Sequence, residues 1–182
     1  NTVEISKFAN DILRHGDFAV YPVEPIIRHG AAVRVEKQPD ATALLEETVH
    51  TIRKWQQDGY ETIAVICREE KEAAELAEQL KSYMEIVDCN PGTTEFGDGV
   101  MVLSVVYTKG LEFDAVLLYD PTQKKYPADN GHVKLLYVAA TRALHELVVL
   151  YHGNLSRILT DPVSKEKKQK VFASETLTKA KE

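Results

Sequence analysis

The chain has 182 residues, of which 44% are hydrophobic and 27% are charged, as in an ordinary globular domain. Its formal net charge of −6 shows none of the overall basic character that marks a self-sufficient nucleic-acid binder. The two cysteines have no metal-like neighbours, and neither a signal peptide nor a membrane-length apolar run is present, so we predict a cytoplasmic protein without a disulfide framework.

Hydrophobic periodicity predicts alternating helices and strands along most of the chain. The predicted helices are residues 3–16, 41–58, 69–81 and 131–145, and the predicted strands are residues 31–36, 62–67, 84–87, 100–106, 115–119 and 147–151. This alternation indicates an α/β fold with a parallel sheet covered by helices on both faces. We assign residues 1–160 to this domain and the polar, lysine-rich residues 161–182 to an exposed C-terminal tail.

The common nucleotide and metal motifs are absent from the sequence. The segment Gly92–Gly97 has the glycine spacing of a phosphate loop, but Asp98 follows it where a lysine is needed, and a carboxylate there would repel phosphate. The run Val116–Asp120 has the form of a strand that ends in a magnesium-binding acid. Without a phosphate loop we interpret Asp120 as a turn residue. The six histidines show no metal spacing, so no metal site is predicted.

The charged segment Thr108–Asp114, with the sequence TKGLEFD, separates two apolar runs. We place it at the carboxyl end of a strand, where α/β proteins usually bind ligands. Gly110 permits a positive φ or the close approach of a ligand, Glu112 can accept hydrogen bonds from sugar hydroxyls, and Lys109 can meet a phosphate. The alternative is an ordinary surface turn with an ion pair between Lys109 and Glu112.

A single arginine, Arg142, stands in Leu135–Ala143, an otherwise apolar stretch of the predicted helix 131–145. Leu135, Val138 and Ala139 share its face, and a guanidinium among them is costly to bury unless it is paired. Two interpretations remain open. Arg142 is either a structural arginine that pairs with a neighbouring carboxylate, or an arginine that stabilises charge on a transferring phosphoryl group.

Two segments resemble motifs of superfamily 1 helicases of the UvrD/Rep/PcrA type. Tyr107–Val116 resembles motif V, whose core is KGLEF, and Leu136–Ala143 resembles motif VI, whose core is YVxxTRA. Thr62–Leu80 is similar to the motif IVa region, and Thr2–Ala9 is similar to the helix that follows motif IV. The short spacing between motifs V and VI, together with Tyr119–Pro121, makes the HelD and helicase IV branch the closest match.

The resemblance implies a three-layer RecA-like (P-loop NTPase-like) second motor domain, called 2A, without a phosphate loop of its own. In this family ATP with magnesium binds in the cleft between two motor domains, and the magnesium ligands lie on the first. The resemblance implies that Arg142 is the catalytic arginine finger on the γ-phosphate and that Thr141 positions it. It also implies that Glu112 contacts the ribose, that Gly110 permits this approach, and that Lys109 lies near the nucleotide.

The resemblance further implies a shared track for single-stranded DNA. The residues expected on this track are Ser104, Thr108, Lys109 and Arg68. The family often has a histidine where Val106 stands, and the motif IV arginine would come just before residue 1. The insertion that forms the 2B subdomain has no room between residues 16 and 100, so we expect it to be absent or much reduced.

The function expected of the full-length protein is that of an ATP-dependent DNA helicase or translocase, an ATP hydrolase whose first motor domain lies on the same polypeptide. The isolated domain is expected to be inactive, because it offers only half of the ATP cleft. The alternative is a HelD-like remodeller that uses ATP to act on RNA polymerase. A third reading, a flavodoxin-like α/β domain without a nucleotide role, requires both motifs to be coincidental.

Overall fold

A computed structural model describes residues 1–20, 28–88 and 97–160 of the chain. In this part of the chain five parallel strands form one sheet in the order β1-β5-β4-β2-β3. The strands are β1 (Arg34–Lys37), β2 (Thr62–Cys67), β3 (Gly99–Ser104), β4 (Phe113–Tyr119) and β5 (Ala143–Tyr151). The α-helices are α1 (Val3–Leu13), α2 (Ala41–Gln57), α3 (Glu70–Leu80) and α4 (Asn130–Thr141). The predicted α/β fold with a parallel sheet is confirmed.

The sheet is buried between two layers of helices. Helices α1 and α4 pack on one face, and helices α2 and α3 pack on the other. Along β2, Ala64 and Ile66 belong to the first core, whereas Ile63 and Val65 belong to the second. Because both faces are covered there, β2, β3 and β4 read as continuous apolar runs rather than alternating patterns, which is why their positions could be predicted from the sequence. The edge strand β1 is polar and mostly exposed.

The strand predicted over residues 31–36 begins only at Arg34, and two other predicted strands differ further from the structure. Residues 84–87 do not form a strand, and Ile86 makes only an isolated bridge to Val100. The strand expected over residues 100–106 ends at Ser104, and Val105–Thr108 continue as a short 3-10 helix. The side chains of Val105 and Thr108 are buried in that helix. The apolar run therefore continues beyond the strand, and the sequence pattern did not show where the strand ends and the 3-10 helix begins.

The helix expected to continue to His145 ends four residues earlier, at Thr141. Arg142 is its C-cap, and β5 already begins at Ala143. The physical reason is strand pairing: the amide of Phe113 donates to the carbonyl oxygen of Arg142, and Phe113 is in register with Ala143. Tertiary pairing with β4 therefore overrides the helical preference of the alanine-rich sequence.

The predicted tail, residues 161–182, lies outside the described residues, as does most of the Gly92–Gly97 segment. None of the helices that the structure describes is both long enough and apolar enough to cross a membrane.

Strands β3 and β4 are parallel and are not neighbours, because β2 lies between them. Residues 105–112 must therefore return from the carboxyl edge of the sheet to its amino edge before β4 can start. Glu112 directly precedes β4 and lies at the amino edge. The expectation that the charged segment forms a turn at the carboxyl end of a strand is wrong for this residue.

Candidate functional site

Helix α4 places Arg142 at the amino edge of the sheet. The helix begins with Asp129, whose side chain accepts a hydrogen bond from the amide of His132 at 2.9 Å. At its other end the hydroxyl of Thr141 donates to the carbonyl oxygen of Tyr137 at 2.9 Å. Arg142 therefore stands at a capped helix terminus, directly before β5, and not within the helix as predicted.

The guanidinium of Arg142 is held by neutral oxygen atoms. Nε donates to the carbonyl oxygen of Val138 at 3.1 Å, Nη1 to that of Leu111 at 3.4 Å, and Nη2 to the hydroxyl of Thr141 at 3.4 Å. The residue is half-buried. Among the described residues no carboxylate pairs with it, so this part of the chain does not contain the partner that a purely structural arginine would need. The cation is oriented but not neutralised.

Glu112 lies beside Arg142 at the starts of two paired strands. Phe113, the next residue, donates its amide hydrogen to the carbonyl oxygen of Arg142 at 2.9 Å. The Glu112 side chain is exposed and forms no hydrogen bond or ion pair with the described part of the chain. Lys109 is also exposed, and the ion pair that the surface-turn interpretation requires between Lys109 and Glu112 is not formed in the described structure.

Gly110 occupies a type II turn formed by Thr108–Leu111. The amide of Leu111 donates to the carbonyl oxygen of Thr108 at 3.0 Å. Lys109 has φ −59° and ψ 125°, and Gly110 has φ 79°, a conformation that favours glycine at this turn position. A Cβ atom built at Gly110 would meet no atom within 4 Å. The glycine is explained by backbone conformation, and the space beside it is open.

Asp114 fixes the start of β4, a role that the sequence did not indicate. Its carboxylate accepts hydrogen bonds from the amides of Glu61 at 2.9 Å and Thr62 at 3.1 Å, and its own amide donates to the Thr62 hydroxyl at 2.8 Å. Burial raises the pKa of Asp114, but these hydrogen bonds and the nearby His145 together hold the pKa below its ordinary value. The only sequence signal for this role was the position of Asp114 at the end of the charged segment.

Two of the residues expected on the nucleic-acid track lie at the opposite, carboxyl edge. Ser104 ends β3 and is 1% exposed, and its hydroxyl has no hydrogen-bond partner in the described structure. Arg68 directly follows β2, and its guanidinium carbon lies 6.0 Å from the centre of the Tyr126 ring. Thr141, Arg142 and Glu112 are thus brought together, whereas Ser104 and Arg68 form a separate group.

Thr108 is fully buried, and its hydroxyl donates to the carbonyl oxygen of Val105 at 2.7 Å. Its side chain closes the short 3-10 helix rather than facing solvent. Lys109, the next residue, is exposed and is the side chain of this turn that is available to a ligand.

No group of histidine, cysteine, aspartate or glutamate side chains in the described residues is arranged to hold a metal ion. Asp120 has a left-handed backbone, with φ 53°, and its carboxylate accepts hydrogen bonds from the amide of His152 at 3.1 Å and from Nζ of Lys125 at 2.9 Å. These contacts agree with its interpretation as a turn residue.

Comparisons with known proteins cover the region that contains these residues. Residues 99–150 match the family model of the UvrD-like helicase C-terminal domain. Among solved structures, the C-terminal domain of a possible DNA helicase from Lactobacillus plantarum WCFS1 is similar with a TM-score of 0.73 and 25% identity, covering 91% of this chain and 94% of that one.

Another similar structure is E. coli DEAD-box protein SrmB bound to RraA, with a TM-score of 0.47 and 13% identity, covering 67% of this chain and 79% of that one. At that level of likeness it supports no argument. A search of curated proteins gave no match. The chain has the α/β fold of a helicase C-terminal RecA-like domain.

Proposed function

We propose that this chain is the C-terminal half of an ATP-dependent DNA helicase or translocase motor. It supplies Arg142 and Glu112 to an ATP site shared with a first motor domain of the same polypeptide. The observation that carries this proposal is the half-buried Arg142, which is oriented by three neutral oxygens, unpaired with any described carboxylate and placed beside Glu112. Both residues lie in the region that matches the helicase family model.

In this proposal the guanidinium of Arg142 acts as an arginine finger on the γ-phosphoryl group. Its positive charge offsets the negative charge that develops on the transferring group, and such an arginine contributes about 10³–10⁵ in rate. The carbonyl oxygens of Val138 and Leu111 and the hydroxyl of Thr141 hold the guanidinium in place before the nucleotide arrives. Such fixed orientation avoids reorganisation during the reaction.

Glu112 contacts the ribose hydroxyls, and Gly110 and Lys109 lie near the nucleotide. The exposed carboxylate of Glu112 has free acceptor oxygens for this task. The ladder between β4 and β5 fixes Glu112 relative to Arg142, so both contacts approach the same nucleotide when the two motor domains close.

The second group of residues contributes to a single-stranded DNA track. Ser104 ends β3 beside Cys67, the last residue of β2, but it is 1% exposed. Arg68, which follows β2, and the exposed Lys109 are therefore the side chains of this set that can reach the strand. The net charge of −6 favours a track that is completed by the first motor domain rather than one supplied by this chain alone. Hydrolysis of ATP supplies the free energy for inchworm steps along the strand.

The test is Arg142→Ala in the full-length protein, measured as DNA-stimulated ATP turnover. We expect turnover to fall by about 10³-fold or more. Circular dichroism and the binding of a fluorescent ATP analogue should be largely unchanged. Arg157→Ala, which removes an exposed arginine of the short 3-10 helix Arg157–Leu159, is the matched control. Turnover within a few-fold of wild type in Arg142→Ala would reject the assignment.

A further inference from the structure

An open cavity of about 520 Å³ lies at the amino edge of the sheet, beside the starts of β4 and β5. Residues 28–30, which we call the strap, form one wall, and the connection between α2 and β2 forms another. The titratable side chains that line the cavity with His145 are Arg28, His29, Asp58, Tyr60, Glu61 and Asp114, and Glu146 is the next residue of β5. His145 follows Arg142 by three residues, and Asp114 follows Glu112 by two, so the cavity lies next to the candidate nucleotide site.

The imidazole of His145 lies among three side chains in this cavity. Nη2 of Arg28 contacts Nδ1 of the ring and lies 3.4 Å from Nε2. Nε2 lies 3.6 Å from Oδ1 of Asp114, and the ring stacks on that of Tyr60 with the ring centres 5.8 Å apart. A guanidinium can only donate hydrogen bonds, so the ring nitrogen that it contacts must accept one. The contact therefore requires the neutral imidazole, with its proton on Nε2.

The strap is tied to the first turn of α1 as well as to β5. The carbonyl oxygen of Arg28 accepts a hydrogen bond from the amide of Val3 at 3.0 Å. A Cβ atom built at Gly30 would lie 2.6 Å from Cγ2 of Thr2 and 3.2 Å from the carbonyl oxygen of His145. The strap thus fills the space between the start of α1 and β5.

The start of α1 contacts the end of α4 in turn. Nδ2 of Asn1 donates to the carbonyl oxygen of Thr141 at 3.4 Å, and the hydroxyl of Thr141 accepts a hydrogen bond from Arg142. A shift of the strap is therefore passed through α1 to the residue that orients the guanidinium of Arg142.

We propose that His145 is a positioning residue for the nucleotide site and that protonation of its imidazole releases the strap. The effect on ATP rests on the proposed function. In the neutral form, Nδ1 accepts from Arg28 and holds the strap against β5. Protonation puts a hydrogen on Nδ1, which removes the acceptor and sets two positive charges side by side, whereas the attraction to Asp114 grows. The strap then keeps only its bonds to α1.

The histidine of the strap itself responds in the opposite direction. Nδ1 of His29 lies 2.9 Å from Oε1 of Glu4. A hydrogen bond from the amide of Gly30, together with His29, lowers the pKa of Glu4 to about 2, so Glu4 stays ionised where imidazoles titrate. Protonation of His29 would tighten the strap on α1. Release of the strap in acid therefore identifies His145 as the titrating group.

Hydrogen exchange of the full-length protein without nucleotide measures the strap directly. The amides of Val3 and Gly30, which join it to α1, are compared at about pH 5 and about pH 8, the limits between which imidazoles titrate. After correction for the intrinsic rate at each pH, their protection should be about tenfold lower at the acid pH. That is the loss expected for one hydrogen bond to a charged group.

Three variants complete the design. His145→Gln keeps an acceptor and a donor but does not titrate, so its protection should be high at both pH values. His145→Phe keeps a ring on Tyr60 but has no acceptor, and its protection should be low at both. His50→Gln, at an exposed position of α2, should keep the pH dependence of the wild type.

ATP turnover then tests the positioning role. The ratio of turnover in His145→Gln to that in wild type should be near one at about pH 8 and rise about threefold or more at about pH 5, because misplacement of a group near the reaction lowers its rate. The change should lie in kcat rather than in KM, since Arg142 acts on the transferring group.

Equal protection at both pH values in wild type would overturn the proposal, as would a pH dependence that persists in His145→Gln. A turnover ratio that stays constant with pH, while exchange follows His145, would overturn the positioning role. Failure of the proposed function is recognised separately, as undiminished turnover in Arg142→Ala, because the exchange measurement involves no ATP.

Discussion

The amide of Phe113 donates a hydrogen bond to the carbonyl oxygen of Arg142 at 2.9 Å. Through this bond the residue that follows Glu112 is joined to the proposed arginine finger. The two motifs recognised in the sequence therefore lie at the starts of β4 and β5, which are neighbouring strands that pair with each other. We expect the contact to the ribose and the contact to the γ-phosphate to move as one unit.

Glu112→Ala should impair the use of ATP more than the use of its deoxyribose analogue. If the carboxylate accepts a hydrogen bond from a ribose hydroxyl, its removal raises KM for ATP by about tenfold or more, as expected for a hydrogen bond to a charged group. Steady-state ATPase assays of the full-length protein with ATP and 2′-deoxyATP or 3′-deoxyATP measure this preference. Glu75→Ala, on the exposed face of α3, is the control. An unchanged KM for all three nucleotides in Glu112→Ala would argue against the ribose contact.

Gly110→Ala and Gly153→Ala form a matched pair. Both glycines have φ 79°, and in both cases a new Cβ atom would meet no atom within 4 Å. Each substitution should lower the free energy of unfolding by about 1 kcal/mol, the cost of the left-handed backbone. Urea unfolding followed by the fluorescence of Trp55, the one tryptophan of the chain, measures this loss.

ATP turnover separates the two glycine variants. Only Gly110 lies next to the candidate nucleotide contacts, so turnover should fall in Gly110→Ala and stay near wild type in Gly153→Ala. A parallel fall in both variants would mean that lost stability, rather than access of the nucleotide, explains the effect.

Asp114→Asn should destabilise the domain in a pH-dependent way. The folded pKa of Asp114 lies below its ordinary value, which is about 3.9. The ionised carboxylate therefore stabilises the fold above about pH 4, and this contribution is lost as the pH falls through the lowered folded pKa. We expect a loss of about 1 kcal/mol at pH 7 that shrinks as the pH falls below the ordinary pKa of an aspartate. Asp98→Asn, at an exposed position, should have no such effect, and a pH-independent loss in Asp114→Asn would contradict the prediction.

Lys125→Met should destabilise the carboxyl edge, while Lys124→Met should not. The ammonium group of Lys125 contacts the carboxylate of Glu72 and lies 2.9 Å from that of Asp120, which is buried. Removing the lysine leaves Asp120 without its cation and should cost about 1–3 kcal/mol. Lys124 is exposed. Equal melting temperatures for the two variants would show that the ion pairs contribute nothing.

The parallel sheet and its two helical layers could be predicted because buried parallel strands are nearly continuous runs of apolar residues. The run Thr62–Cys67 is apolar at nearly every position, and its predicted bounds agree with the structure. The end of α4 could not be predicted, since nothing local to Ala143 indicates that Phe113, thirty residues earlier, pairs with it. Pairing between distant strands decides this boundary.

The candidate site could be predicted as a set of residue types but not as an arrangement. Arg142 and Glu112 were identified by their motifs, and the strand order then brings them to one edge while Ser104 and Arg68 lie at the other. The inward orientation of Thr108 had no signal in the sequence. The HelD branch, RNA polymerase as a partner and the roles of the site residues stay predictions.

The connection between β3 and β4 has almost no slack. Leu103 and Leu118 are both in register with Ile66, so the chain must descend about 20 Å from Ser104 to Phe113. A 3-10 helix of four residues, a type II turn and two extended residues together reach about 22 Å at most. The connection over residues 105–112, which contains Tyr107 and ends at Glu112, is thus stretched almost to its full length. Because there is so little spare length, a displacement of Tyr107 would also shift Glu112, and one inserted residue would uncouple the two positions.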